Sequence, residues 1–114
     1  MTVPRLVLPL AGLLLLSGCA GGRTSAAAGP ATTTTVNLPP SYRFDPEAIQ
    51  VPAGTTVTWT NNDNFTHSVL IVGSNDVHTM KPGEKTTITF NTPGQFDYVC
   101  TFHTQNMKGR VIVN

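Results

Sequence analysis

Three side chains that could bind a metal ion lie within a short segment near the C-terminus. Residues 98–109, YVCTFHTQNMKG, contain Cys100, His103 and Met107. A thiolate, an imidazole and a thioether together favour copper, particularly Cu(I), over the cations that prefer oxygen ligands. A usable copper site needs another imidazole, and His67 in the segment NDNFTHSVL can supply it. The sequence therefore predicts a copper site built from these four residues.

Each of these residues also has a simpler explanation when it is taken alone. Cys100 can be an inert buried thiol, because free cysteine is among the residue types most often found in protein cores. His67 can be a hydrogen-bonded histidine at a strand edge, and Met107 can be core packing before the last strand. A nucleophilic pair of Cys100 and His103 is disfavoured, because no third group to orient the histidine is evident. The occurrence of all four residues together favours a metal site over these separate explanations.

The segments around these residues are predicted to form an all-β domain. Apolar residues alternate with polar ones in Thr55–Thr60, Thr86–Phe90 and Arg110–Asn114, as expected for half-buried strands. Ser68–Val72 is a continuous apolar run, typical of a central strand. Turn signals that contain Pro, Gly and Asn separate these segments. Short strands at this spacing favour a sandwich or a barrel.

The strand that leads into the candidate loop also predicts the direction of the thiol. In Gln95–Cys100, alternation places Phe96, Tyr98 and Cys100 on one face. The aromatic residues mark that face as the core face, so Cys100 should point inward where the strand ends. If the strand that begins near His67 runs antiparallel to this one, His67 and Cys100 become neighbours.

The N-terminal segment indicates export. Arg5 is followed by an apolar run from Leu6 to Leu16, which is the length of a signal-peptide core. The sequence LSGC that ends at Cys19 resembles the lipobox of bacterial lipoproteins. We therefore expect a signal peptide at 1–18, lipidation of Cys19, a disordered tether over 19–35 and a folded domain over 36–114. An ordinary secretory signal is the alternative. The protein would be lipid-anchored to the membrane, facing the periplasm or the cell exterior.

Composition limits the remaining classes of function. The formal net charge is +1 and 11% of residues are charged, so no nucleic-acid partner is predicted. If Cys19 carries a lipid, Cys100 has no partner in this chain for a disulfide. The acidic residues are scattered, with no paired general acid and base, so no enzymatic activity is predicted.

The folded segment resembles a known family. The stretches YRFDPEAIQVPAGTTVTWTNNDNFTHSV, MKPGEKTTITFNTPGQFDYVCTFH and MKGRVIVN are similar to the cupredoxins, the small blue-copper proteins of the plastocyanin and amicyanin type. The resemblance implies a Greek-key β-sandwich and one type 1 copper ion held by His67, Cys100, His103 and Met107. The three residues between His103 and Met107 make a gap intermediate between those of amicyanin and plastocyanin.

On this basis we expect a monomeric electron carrier that shuttles single electrons between redox protein partners by Cu(II)/Cu(I) cycling. The alternative is an extracytoplasmic protein that binds copper for delivery or resistance. His103 is the expected electron port, and Phe102, Pro39 or Pro40, and Met80 are candidates for an apolar docking patch around it. His78 with Met80 is a conceivable second copper site, although an exposed loop histidine is the expected role of His78.

Overall fold

The computed structural model describes Pro4 and residues 29–114, and all regular structure in that part is β-strand. Apart from Pro4, the predicted signal peptide lies outside the described residues, and so does the lipidation site at Cys19. Within the described part of the chain, no helix has the length and apolar character needed to cross a membrane. The nine strands are β1 Ala31–Thr32, β2 Thr35–Leu38, β3 Ala48–Val51, β4 Thr55–Asn61, β5 His67–Ile71, β6 Val77–Met80, β7 Lys85–Phe90, β8 Gly94–Val99 and β9 Lys108–Val113.

Two sheets form the predicted sandwich. The larger sheet has the order β1-β3-β9-β8-β5-β6, and the smaller has the order β2-β4-β7. Strands that are neighbours in space are often distant in sequence, as in the parallel pairs of β2 with β4 and of β3 with β9. The all-β sandwich predicted from the sequence is confirmed.

The core between the sheets is aromatic. Trp59 on β4 and Tyr98 on β8 are both fully buried, and their rings meet edge to face with centroids 5.3 Å apart. Phe44 also packs edge to face against Tyr98, with ring centroids 4.7 Å apart. These contacts join the two sheets near the C-terminal end of β8, so core packing fixes the position of its last residues.

Close packing of β8 against β9 depends on a glycine. Gly109 lies directly opposite Tyr98 in the antiparallel pair, and a Cβ atom at this position would stand 2.2 Å from the Tyr98 ring. Only glycine leaves room for the ring to lie flat across the neighbouring strand. The sequence MKG that follows the candidate loop therefore has a packing role at its third residue.

Strand structure begins earlier than the sequence indicated. Ala31–Thr32 pairs in parallel with β3, and β2 begins at Thr35. β1 and the first residue of β2 lie in the segment 19–35 that was expected to be a disordered tether. The low hydrophobicity of this segment concealed its pairing, because β1 adds to an exposed sheet edge through backbone hydrogen bonds and needs no apolar face.

His78 does not lie in a loop, and that expectation is wrong. It belongs to β6, opposite Val69 on β5, and its Nδ1 lies 3.2 Å from Thr86 Oγ1. Met80 ends the same strand with its side chain fully buried in the core. Met80 is therefore absent from any exposed docking patch.

Candidate metal centre

His67 and Cys100 meet because β5 and β8 are antiparallel. Leu70 pairs with Val99, which places the beginning of β5 beside the end of β8. We call this end of the sandwich the donor end. His67 is the first residue of β5 and Cys100 follows the last residue of β8, and both are fully buried. Their Nδ1 and Sγ atoms lie 3.7 Å apart. The predicted juxtaposition of these two residues is confirmed.

The loop after Cys100 turns back on itself through local hydrogen bonds. The N–H of His103 donates to the carbonyl of Cys100 at 3.1 Å, and the N–H of Met107 donates to the carbonyl of His103 at 2.9 Å. The loop closes where the N–H of Cys100 donates to the carbonyl of Met107 at 3.0 Å. The backbones of all three loop donors are thereby linked, and Met107 begins the approach to β9.

The three loop donors differ in exposure. Cys100 and Met107 are fully buried, whereas His103 is half-buried. The rings of His67 and His103 lie 5.7 Å apart, so both imidazoles stand at the donor end. Among residues 29–114, no three His, Cys, Asp or Glu side chains are gathered closely enough to hold a metal ion by themselves.

An aromatic side chain covers the two imidazoles. The Tyr42 ring meets His103 edge to face at 4.6 Å and His67 at 6.0 Å, and it stacks on Phe65 at 5.7 Å. Tyr42 and the preceding Ser41 both have positive φ angles, 54° and 112°. Such angles are uncommon for residues with a side chain, and here they turn the Tyr42 ring over the donor end. Sequence analysis did not identify this role, because no local pattern signals it.

A buried carboxylate lies behind His67. Asp63 Oδ2 is 2.7 Å from His67 Nε2, and Asp63 Oδ1 accepts the N–H of Asn64 at 2.7 Å. The hydrogen bond with His67 is the main reason that the pKa of Asp63 lies below its usual value of 3.8, although burial opposes this shift. Sequence analysis gave Asp63 no role at this site. The available signal for this contact was the position of an acidic residue four residues before His67.

The turn that carries Asp63 is held by a buried amide. Asn61 Nδ2 donates to the carbonyls of Phe65, at 2.8 Å, and Met80, at 3.0 Å, while its Oδ1 accepts the N–H of Asp63 at 3.0 Å. Asn61 thus connects the end of β4, the turn and the end of β6. Because an unpaired buried amide would be costly, these bonds specify one conformation for the turn that leads to His67.

A hydroxyl group stands beside the sulfur. Ser68 is fully buried, and its Oγ lies 3.9 Å from Cys100 Sγ. The same oxygen accepts the N–H of Thr101 at 2.8 Å and lies 2.7 Å from Thr101 Oγ1. A polar neighbour of this kind can adjust the electron density of a ligating sulfur. Ser68 is a further residue that sequence analysis missed.

The donor chemistry fits a copper ion. The buried thiol of Cys100 faces an imidazole nitrogen, a second imidazole lies beside the first, and a buried thioether follows in the loop. Described residues 29–114 hold one cysteine, which is free, so its thiol is available to a metal. Two imidazoles, a thiolate and a thioether are the donor set typical of electron-transferring copper sites.

Comparisons with known proteins agree with this chemistry. Residues 6–113 match the family model for the cupredoxin-like domain. Amicyanin-alpha of Methylorubrum extorquens is 31% identical over 82% of this chain and 82% of its own length. Amicyanin of Paracoccus versutus is 36% identical over 78% of this chain and 70% of its own length.

Solved structures show the same relationship. A purple cupredoxin from Nitrosopumilus maritimus superposes with a TM-score of 0.63 and 26% identity, covering 72% of this chain and all of that one. An oxidised amicyanin variant gives a TM-score of 0.64 at 28% identity, over 70% of this chain and 80% of that one. The chain therefore belongs to the cupredoxin-like family and is a small blue-copper electron-transfer protein with one type 1 copper ion.

Proposed function

We propose that His67, Cys100, His103 and Met107 hold the copper ion and that the protein carries single electrons between redox proteins outside the cytoplasmic membrane. The observation that carries the assignment is the approach of His67 Nδ1 to the buried Cys100 Sγ at 3.7 Å. These two atoms come from strands that are distant in sequence. Only the antiparallel register of β5 and β8 brings them together.

The roles of the four residues follow from their chemistry. His67, His103 and the Cys100 thiolate would supply the strong bonds to the ion, and the Met107 thioether would be the weaker donor. Copper bound by this set supplies one-electron Cu(II)/Cu(I) chemistry. Copper binding also favours deprotonation of the Cys100 thiol, because the thiolate is the form that ligates.

The protein around the donors limits movement and water. Cys100, Met107 and His67 are fully buried, so solvent has little access to these three side chains. Asn61 and Ser68 hold the backbone on both sides of His67 through hydrogen bonds that exist without the metal. A framework that is already in place should change little when an electron arrives or leaves.

His103 is the proposed port for electrons, because it is the one half-buried member of the set. Three exposed aromatic side chains lie near His103. Tyr42 is 41% exposed and Phe65 is 56% exposed, and both belong to the stack over the donor end; Phe102, which precedes His103, is 55% exposed. We propose that redox partners dock on this aromatic surface, with Phe102 retained from the predicted patch.

A role in copper delivery or resistance is the second candidate. Delivery requires ligands that another protein can reach and replace. The complete burial of Cys100 and Met107 argues against such exchange and favours a carrier that keeps its copper. We accordingly propose a carrier without substrate turnover.

A spectroscopic titration tests the copper assignment. Addition of Cu(II) to the purified protein should produce an intense thiolate-to-copper band and a reversible voltammetric wave. Cys100→Ser should abolish the band, and His67→Ala should abolish or strongly alter it. His78→Ala is the matched control, since that ring contacts Thr86 and is not one of the proposed donors, and it should leave the band unchanged. A colourless protein, or one that releases copper on reduction, would contradict the carrier.

We also propose that the chain is exported and anchored to the membrane through a lipid on Cys19, as a monomer facing the periplasm or the cell exterior. The sequence LSGC supports this, and so does the free thiol of Cys100, which leaves Cys19 without a role in a disulfide. Expression in a bacterial host with labelled fatty acid should give a labelled, detergent-phase protein. Cys19→Ser should lose the label. A labelled Cys19→Ser variant, or an unlabelled wild type, would refute the anchor.

A further inference from the structure

Asp63 has no assigned part in the proposed copper site, yet its side chain is as enclosed as the donors. It is 5% exposed, and both of its carboxylate oxygens are engaged. Oδ1 accepts the N–H of Asn64 at 2.7 Å, and Oδ2 lies 2.7 Å from Nε2 of His67. A buried carboxylate is expensive to maintain unless it is hydrogen-bonded, so this arrangement calls for a function.

The position of Asp63 is determined by the fold and does not depend on a metal. The N–H of Asp63 donates to Asn61 Oδ1 at 3.0 Å, and the Asn61 amide is anchored on the carbonyls of Phe65 and Met80. The carboxylate therefore stands on a turn that is held from both β4 and β6. It meets the ring of His67 from the side opposite to Cys100.

This geometry decides which nitrogen of His67 carries the proton. A carboxylate oxygen at 2.7 Å can only accept, so Nε2 must be the N–H donor. In the neutral ring Nδ1 then bears the lone pair, and Nδ1 is the atom that faces Cys100 Sγ at 3.7 Å. The nitrogen that would ligate is thus ready before any metal binds.

The carboxylate also places a negative charge one imidazole ring away from the proposed metal position. In a buried environment such a charge acts through a low effective dielectric constant. It stabilises Cu(II) more than Cu(I), because the oxidised ion carries the larger positive charge. A carboxylate that accepts a hydrogen bond from a ligating imidazole also makes that imidazole a stronger donor.

We propose that Asp63 is a positioning residue that fixes the Nε2–H tautomer of His67 and lowers the reduction potential of the copper site. This inference rests on the proposed role of His67 as a ligand. The competing explanation is that Asp63 serves only to cap the turn through Asn64. That structural role would affect folding stability but would leave both the tautomer and the potential unchanged.

The potential of Asp63→Asn separates the two explanations. The amide is nearly isosteric with the carboxylate and removes its charge. We expect the preference for Cu(II) over Cu(I) to fall about tenfold, which raises the potential by about 59 mV for a one-electron couple. Asp76→Asn is the charge-matched control. Asp76 is exposed in the turn at the opposite end of β5, where solvent screens its charge, and its removal should have a much smaller effect.

The outcome of this comparison is decisive when the blue band is retained in both variants. A rise in potential specific to Asp63→Asn supports the inference. Equal shifts in the two variants, no shift, or a fall would overturn it while leaving the copper assignment intact. If the wild-type protein itself shows no blue band, the proposed copper assignment fails, and the two failures are thereby distinguishable.

A second measurement needs no variant and no copper. Nitrogen NMR of the wild-type apoprotein should show His67 protonated at Nε2, with slow exchange of that proton because the ring is fully buried. In Asp63→Ala, we expect a mixture of the two tautomers. Protonation at Nδ1 in the wild type would refute the inference, even if Asp63→Asn proved too unstable to purify.

Discussion

Ser68 holds Thr101 through its side-chain oxygen, which accepts the N–H of Thr101 at 2.8 Å. This bond joins the second residue of β5 to the first residue after Cys100. Since His67 precedes Ser68 and Cys100 precedes Thr101, the bond sets the spacing of the two buried donors. The hydroxyl lies 3.9 Å from Cys100 Sγ, so its removal should change the polarity around the sulfur.

Replacement of Ser68 by alanine should destabilise the apoprotein by about 1–3 kcal/mol, the usual cost of leaving a buried donor unpaired. The copper-loaded variant should also show a shifted thiolate band. Urea unfolding and the visible spectrum are the measurements. Thr101→Val is the control, because it removes only the hydroxyl neighbour of Ser68 and retains the N–H bond. A larger loss of stability in Thr101→Val than in Ser68→Ala would show that the bond from the N–H of Thr101 to Ser68 is not the important one.

Gly109→Ala should be strongly destabilising. The added Cβ would stand 2.2 Å from the buried Tyr98 ring, which already packs against both Trp59 and Phe44. Overpacking of this kind costs about 1–3 kcal/mol. Thermal unfolding would measure it. Gly29→Ala is the matched control, as no atom lies within 4 Å of the Cβ position there, and it should change the melting temperature little.

Ser41→Gly should stabilise the protein. Ser41 has a φ of 112°, a region that disfavours any residue with a Cβ atom. Relief of this strain should contribute about 1 kcal/mol, measured by denaturant unfolding. Ser41→Ala keeps the Cβ atom and should give no such gain. Equal stabilities of the glycine and alanine variants would show that the backbone at Ser41 is not strained.

The stability of the protein should fall above pH 10 because of Tyr98. Burial raises the pKa of Tyr98 above its usual value of 10.0, since the phenolate would be poorly solvated in the core. Above pH 10 the unfolded chain releases this proton while the folded protein retains it. The stabilisation is thus complete below pH 10 and is lost as the pH rises toward the folded pKa.

Tyr98→Phe isolates this contribution, because phenylalanine does not titrate. Between pH 10 and 11.5, the free energy of unfolding of the wild type should decline more steeply than that of the variant, by up to about 1.4 kcal/mol per pH unit. Chemical denaturation at several pH values gives both slopes. Parallel pH profiles for the two proteins would mean that Tyr98 ionises as readily in the folded state as in the unfolded chain.

The strands that carry a clear alternation were predictable from the sequence, and so was the direction of Cys100. Thr55–Thr60 and Gln95–Cys100 correspond closely to β4 and β8, since one face of each packs into the core. The alternation in Gln95–Cys100 correctly placed the thiol at the buried end of its strand. His67 could be associated with Cys100 because an antiparallel neighbour was a reasonable assumption.

The residues that sequence analysis missed are defined by tertiary contacts. β1 and β6 lie at the two edges of the larger sheet, where pairing through the backbone places few demands on side chains. Tyr42 reaches the donor end through an unusual backbone conformation, which has no sequence signature for a tyrosine. Asp63 and Ser68 occupy ordinary turn and strand positions, and only the side chains that they meet across the fold reveal their roles.

The loop between Cys100 and Met107 is closed by its own backbone, through the bonds of His103 and Met107 to the preceding carbonyls and the bond from Cys100 back to Met107. The loop is therefore a self-contained connection between β8 and β9. The three residues Thr104, Gln105 and Asn106 are all exposed and lie between two donors. A change in the number of residues between His103 and Met107 would therefore move the proposed Met107 donor, while the sandwich that supports the loop would stay the same.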